Sequence, residues 1–274
     1  MSQADLLFEV RGPTATVTFN RPAARNAMTW DMYERLVDAC ERIDADDAVR
    51  VAVLRGAGGA FVAGTDITQF REFSTAEDGL AYERRIEQIL DRLERVRVPT
   101  IAAVEGYAVG GGLVLAASCD LRICAPSAKF GLPIARTLGN CVSMRTYARL
   151  ADLVGSARAL HLIYTATFMP AADALAAGLV TEVVPDGPDG PGGERGGPGG
   201  ERGGGLDARL GELCDQLAGH APLTMWASKQ AFRRLRDARL PDGDDLIAAC
   251  YGSEDFHEGV QAFMEKRPAR WQGR

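Results

Sequence analysis

The chain has 274 residues, a net charge of −6 and six cysteines. That length exceeds the common domain size of roughly 100–200 residues and suits one α/β domain with a small appendage; it buries enough surface to need no disulfide or metal staple. The acidic balance speaks against a nucleic-acid partner, which would show a basic patch. With three histidines and no C-x-x-C pair, no metal site is expected. The N-terminus lacks a basic region and an apolar core, and no run approaches the ~18 apolar residues of a membrane span, so neither a signal peptide nor a membrane association is expected. A cytoplasmic protein with reduced thiols is the expectation.

In chain order, Ala15–Phe19 reads as a short strand ended by Asn20-Arg-Pro22. Thr29 can cap a helix with Met32, Leu36, Ala39, Cys40 and Ile43 on one face. Residues 49–54 read as a buried strand, followed by Gly56-Ala-Gly-Gly59. Leu80–Val96 reads as a charged helix with Ile86, Ile89, Leu90 and Leu93 inward. Thr100–Val104 and Leu121–Cys124 are apolar strands, and 113–118 between them is helical in pattern. Strands separated by helices predict a largely parallel sheet. Residues 186–205 hold eleven glycines and three prolines, with PGGERGG repeated at 191–197 and 198–204. Having no apolar side chain to bury, this stretch reads as a flexible insert. Beyond it the pattern is helical: Leu206–Ala218, then a helix from Pro222 to Arg236, then one capped by Ser253 with Phe256, Val260 and Phe263 as its stripe. The expected division is therefore a core at 1–185, the insert at 186–205 and a helical region at 206–274.

Two glycine-bearing turns stand out, GAFVAGTDI at 59–67 and EGYAVGGGL at 105–113. Glycines at a strand-to-helix turn leave backbone N–H groups bare, and a helix start adds partial positive charge. Such a place can hold a phosphate or a developing oxyanion; a tight packing turn is the plainer reading of each alone.

Together these turns carry a resemblance. GAFVAGTDI, paired with the stretch from Pro99 to Pro133, resembles the crotonase family, also called enoyl-CoA hydratase/isomerase. The opening Asn20-Arg-Pro-Ala-Ala-Arg-Asn-Ala27 resembles that family's N-R-P-x-x-x-N-A turn. Residues 155–159, 172–180 and 253–267 resemble later helical segments, so the likeness covers nearly all of the chain except the insert. It implies an α/β spiral of ββα repeats with a helical C-terminal region that packs in trimers or hexamers. It implies an acyl-CoA thioester as substrate and no separate cofactor. The amides of Thr65 and Gly111 would hold the thioester oxygen as it becomes an enolate. Ala24, Arg25, Ala63, Asp66 and Ile67 would line the CoA end.

The chain departs from that pattern at the working carboxylates. The positions of the two glutamates that deliver water in the family's hydratases fall on Val114 (GGGLV) and Ile134 (FGLPI). Neither side chain moves a proton, so the usual acid–base pair is missing. The polar candidates nearby are Arg136, Thr137, Asn140, Cys141 and Ser143, of which Asn140 and Cys141 are the catalytic candidates; a buried thiol is ordinarily inert. The plainer reading of Asp66 is a brace of its turn, and that of Asp120 a structural cap. Glu105, Lys229 and Trp271 have plain structural readings beside functional ones, and none of His161, His220 and His257 falls beside the glycine turns. Three readings are open: an enolate-forming enzyme of hydratase, isomerase or other lyase type; an acyl-CoA-binding protein without catalysis; and, from Gly56–Gly59 alone, a dinucleotide-binding fold, which would need a helix opening directly after those glycines.

Overall fold

The computed structural model describes residues 4–186 and 204–273; the insert expected over 186–205 lies, apart from its ends, outside them. The first strands are β1 (Leu6–Arg11) and β2 (Thr14–Phe19), paired antiparallel. β2 alternates in burial, and Ala15, Val17 and Phe19 are wholly inside. Helix α1 (Trp30–Ala45) starts where Thr29 Oγ1 accepts the Met32 N–H at 3.3 Å. It buries the five apolar residues its periodicity marks. β3 (Val51–Gly56) follows, and no helix opens after its glycines. Val62 instead bridges to Ala108, which removes the dinucleotide reading.

Helix α2 (Ala76–Glu94) begins four residues before the expected Leu80 and ends two before Val96. A reciprocal cap explains the early start: Thr75 Oγ1 accepts the Asp78 N–H, and the Asp78 carboxylate accepts the Thr75 N–H at 2.9 Å. Then come β4 (Thr100–Val104), β5 (Tyr107–Val109), α3 (Gly111–Ser118), β6 (Leu121–Cys124), β7 (Lys129–Gly131), the short α4 (Ile134–Thr137), α5 (Met144–Val154), α6 (Ser156–Thr165), β8 (Met169–Pro170), α7 (Ala171–Ala177) and β9 (Glu182–Val183).

Two sheets result, ordered β1-β2-β3-β4-β6-β9 and β5-β7-β8. Apart from the β1–β2 hairpin, every neighbour pair in the large sheet is parallel. β4 and β6 lie in the large sheet, and the strand after each, β5 or β7, lies in the small one. Each repeat thus gives one strand to each sheet and one helix between, a winding of ββα units. β4 is buried along its whole length, as expected of a strand covered on both faces. Seven of the eight residues of α3 are also buried, so this helix runs through the core.

The C-terminal helices are α8 (Gly204–Ala218), α9 (Pro222–Asp237), α10 (Asp244–Tyr251) and α11 (Glu254–Met264). α8 lays Leu206, Leu210 and Cys214 against Val51, Val53, Ile101 and Ile123 of the large sheet. α10 and α11 form a separate aromatic cluster with α2 and the 67–73 segment, in which Tyr251 and Phe256 are fully buried beside Phe70 and Tyr82. Phe263 departs from the expected stripe. It is half-exposed because it stands at the wall of a cavity rather than in that cluster.

α2 is tied to α5 and α9 by buried charge. Arg149 on α5 is 1% exposed; its Nη1 lies 3.0 Å from Glu87 Oε1 and its Nε 2.7 Å from Glu94 Oε1. Arg236 on α9 also reaches Glu94, and Arg233 reaches Asp91 at 3.2 Å. Removing one partner of such a group strands the others in low dielectric at a cost of about 3–5 kcal/mol. Arg149→Leu is therefore expected to lower the unfolding free energy by about that amount, measured by urea titration of the full chain.

Candidate active site

One cavity, of about 390 Å³, gathers both glycine turns. Its wall is made by Ala63–Ile67, by Val109–Gly111, by the α2 face carrying Tyr82, Glu83, Ile86 and Leu90, and by residues of 132–142. The turns meet because backbone packs on backbone. A Cβ on Gly112 would fall 1.9 Å from the Val62 carbonyl oxygen. The Val109 N–H donates to that same oxygen at 3.0 Å, and Val62 N–H donates to Tyr107 O at 3.0 Å. Gly64 (φ +115°) and Gly110 (φ +55°) take positive dihedrals that glycine adopts without strain.

This geometry leaves two N–H groups unspent at the cavity. Among the described residues no acceptor takes the N–H of Thr65 or Gly111, although the flanking Asp66 N–H donates to Met28 O and Met28 N–H to Gly64 O. The two lie close: a methyl carbon built on Gly111 would stand 3.6 Å from Thr65 N. Gly111 opens α3, so its N–H also carries the positive end of the helix.

Three hydroxyls border the pair. Tyr33 Oη and Tyr82 Oη lie 2.9 Å and 3.0 Å from Thr65 Oγ1. Three O–H groups joined by two hydrogen bonds leave one proton for a ligand oxygen. Burial pushes Tyr33 up to about 12 and Tyr82 well above the usual tyrosine range, so both remain protonated donors. Asp66 braces its turn. Its Oδ1 accepts from Thr68 N at 3.2 Å and Thr68 Oγ1 at 2.7 Å, and its Oδ2 from Arg21 at 3.2 Å. Partial burial pushes this carboxyl up, but the bonds from Thr68 and Arg21 outweigh it and hold it below the usual carboxylate range.

Glu83 is the other carboxyl in the wall. It is 4% exposed. Burial raises it to about 8, helped by Glu87 and opposed by two donors, the Tyr251 hydroxyl at 2.7 Å and the Ser143 N–H at 3.0 Å. Asn140 Nδ2 donates to the Tyr251 oxygen at 3.2 Å. α10 reaches this point through Gly79, where a Cβ would fall 2.2 Å from the Tyr251 ring.

Of the residues expected at the site, Thr65, Gly111, Asn140, Ala24, Ala63, Asp66 and Ile67 all line the cavity. Arg25 and Cys141 do not. Arg25 sits over the Tyr107 ring, 5.4 Å from its centroid. The Cys141 thiol faces α10, 3.5 Å from Leu246 O, and its neighbour Cys250 together with burial pushes it far above the usual thiol range. Ser143 contributes its N–H to Glu83 and its hydroxyl to Glu87. Lys229 and Asp120 pair with each other at 2.8 Å, away from the cavity, and Trp271 packs on Gly139. Tyr33, Tyr82, Glu83 and Tyr251 escape the sequence reading. Glu83 had a visible signal, since it stands three and seven residues before Ile86 and Leu90 and so puts a carboxyl on the apolar stripe of α2.

A sequence model of the enoyl-CoA hydratase/isomerase family matches residues 10–188. The chain belongs to that family. A short-chain-enoyl-CoA hydratase of Clostridium acetobutylicum is 34% identical over 272 residues, with 97% of each chain covered. A 2,3-dehydroadipyl-CoA hydratase of Escherichia coli is 33% identical over 262 residues, with 94% of each covered. Among solved structures, a methylmalonyl-CoA decarboxylase with bound 2S-carboxypropyl CoA superposes with a TM-score of 0.85 at 26% identity over all of both chains. The fold of this enoyl-CoA hydratase/isomerase family member is thus the crotonase spiral that the glycine turns suggested. Its Val114 and Ile134, 5% and 7% exposed, both line the cavity with hydrocarbon.

Folded Glu83 keeps its proton to about pH 8, whereas a carboxyl in the unfolded chain loses it near 4.5. Its contribution therefore favours the fold at acid pH and is lost as pH rises through 8. Glu83→Gln is isosteric and does not titrate. The stability difference between Glu83→Gln and the parent is expected to move in the variant's favour from pH 5 to pH 9, read from urea midpoints at each pH.

Proposed function

We propose that this protein processes acyl-CoA thioesters through an enolate held by the Thr65 and Gly111 N–H groups. The observation that carries the reading is the pair of close, unspent N–H donors on the wall of a largely hydrocarbon cavity. Fixed donors aimed at an oxygen that gains charge stabilise the transition state more than the ground state. The acyl chain would lie along Ile86, Leu90, Val114 and Ile134, with the CoA portion leaving past Ala24, Ala63, Asp66 and Ile67 and Arg25 just outside the wall. The names of the relatives support the substrate class, since a short-chain-enoyl-CoA hydratase, a dehydroadipyl-CoA hydratase and a methylmalonyl-CoA decarboxylase all take CoA thioesters. No separate cofactor enters this scheme, and a cytoplasmic setting suits six free cysteines.

A second reading, an acyl-CoA-binding protein without catalysis, is favoured by one observation: hydrocarbon side chains at 114 and 134. The two readings differ at Gly111. Proline is accommodated at the first position of a helix and lacks the N–H. Gly111→Pro is expected to slow α-proton exchange of an acyl-CoA in D₂O by about 10²–10³-fold, followed by mass spectrometry. A parent protein that binds a broad thioester panel without exchanging any α-proton would establish the second reading.

For assembly, we infer packing against further copies in a homotrimer or a hexamer built from it. Leu223, Phe232 and Leu235 on α9 are 76%, 75% and 61% exposed, an apolar surface that a lone subunit would leave in water. Phe232→Asp is expected to shift the protein to monomer in sedimentation velocity.

A further inference from the structure

We propose that Cys141 and Cys250 are a redox pair: a hydroperoxide closes them into a disulfide that ties α10 to the 138–143 segment, and a dithiol reopens it. The pair lies outside the cavity wall, and the proposal goes beyond the enolate reading without depending on it.

The first ground is where the chain places the two sulfurs. The 138–143 segment bonds α10 at two points. Cys141 Sγ lies 3.5 Å from Leu246 O, and Asn140 Nδ2 donates to Tyr251 Oη at 3.2 Å. Cys250 stands between those points, one turn after Leu246, so it shares the face of α10 that meets Cys141. Cys141 belongs to the aromatic cluster of α10 and α11, and Cys250 packs against the same cluster. Both face the Tyr147 side chain of α5, and the two thiols lie within hydrogen-bonding reach of each other. The second ground is exposure. Of the six cysteines five are buried, and Cys250 alone is partly open to solvent. An oxidant in solution thus meets Cys250 first, with Cys141 behind it.

The neighbours also divide the roles. A hydrogen bond from the Cys141 thiol favours the Cys250 thiolate and brings Cys250 down to about 7, against the opposing effect of partial burial. The same bond, with burial, pushes the Cys141 thiol up. The thiolate is the nucleophile, so Cys250 attacks and Cys141 resolves. Cys250 sulfur takes one oxygen of the hydroperoxide; the O–O bond breaks, and the other oxygen leaves as an alcohol or water after taking a proton. The product is a sulfenic acid at Cys250. Cys141 sulfur then attacks the Cys250 sulfur, the S–O bond breaks, and hydroxide leaves with the Cys141 proton as water. Two thiols are oxidised to one disulfide, and one peroxide is reduced.

The tie acts on a helix that is otherwise held by weak contacts. Reduced, α10 rests on the Tyr251 hydroxyl at Glu83, on the Tyr251 ring over Gly79 and on the Arg84–Asp244 ion pair. These release together when the helix lifts. A disulfide does not release with them, and the loop it closes from 141 to 250 also constrains the unfolded chain. Oxidation therefore locks the enclosure of Glu83 rather than opening it.

The test treats the full chain with hydrogen peroxide, then alkylates free thiols and maps the peptides by mass spectrometry. Expected is a cross-linked peptide pair holding Cys141 and Cys250, with the other four cysteines alkylated and the link lost on treatment with dithiothreitol. The oxidised protein is expected to gain about 5–15 °C in thermal midpoint and to exchange the backbone hydrogens of 244–251 more slowly. Cys141→Ala is expected to stop at the sulfenic acid, trapped on Cys250 by dimedone. Cys250→Ser is expected to show neither the link nor the slowed exchange. Both thiols still alkylated in the treated parent, Cys250 carried to the sulfinic acid with Cys141 free, or a link between two chains each overturns the pair; these read the parent alone and do not depend on a variant that folds. A 141–250 link that leaves exchange over 244–251 unchanged overturns the locking of α10.

Discussion

The cavity depends on a contact with no side chain in it. Gly112 lies against the Val62 carbonyl so closely that even a methyl group is excluded. This approach lets the chain after β3 bridge to β5 and holds the Thr65 turn beside the start of α3. Two sections of chain far apart in sequence thereby present one N–H each to a common point. The spiral of the fold serves this meeting, because successive repeats stack their turns on the same side. The hydroxyls of Tyr33 and Tyr82 then converge on Thr65 from α1 and α2.

α2 concentrates the electrostatics of the molecule along one helix. Glu87 and Glu94 are neutralised by Arg149, with Arg236 adding to Glu94, and Asp91 is shared by Arg95, Arg145 and Arg233. Glu83, one turn before Glu87, meets no cation among the described residues and is held by uncharged donors. The same helix thus holds carboxylates that bind the fold together and a carboxyl whose charge is suppressed. The difference is the neighbour supplied by α5 and α9 for one group and by α10 for the other. A buried charge without a counter-ion is poorly tolerated, so Glu83 keeps its proton until the solution is alkaline.

Much of this was legible in the sequence, for local reasons. The strands at 15–19 and 100–104 are apolar runs between breakers, and α1 and α11 carry a clear cap and period. The glycine turns were legible because few other residues tolerate such backbone. β1 was not, since LLFEVR at the sheet edge has no clean alternation and is held by pairing to β2. The early start of α2 lay in Thr75 and Asp78, three residues apart, ahead of the apolar stripe. The members of the site from α1, α2 and α10 were hidden for a different reason. A tyrosine that borders a cavity and one that only fills the core look alike in sequence, and a glutamate on a charged helix looks solvated. Only the packing of Tyr251 over Gly79 shows which face of α2 is closed.

That packing also bears on when the site comes into being during synthesis. Tyr251 reaches Glu83 across 168 residues of chain. Both glycine turns, both sheets and the whole of α2 precede residue 186 and can assemble while the C-terminal helices are still in the ribosomal tunnel. A chain that has emerged only that far holds the Thr65 and Gly111 turns and the Ser143 N–H, but not the Tyr251 hydroxyl that donates to Glu83. Docking of α10 supplies that tyrosine. The enclosure of Glu83 is therefore completed by the last helices of the chain, on a scaffold that precedes them in sequence.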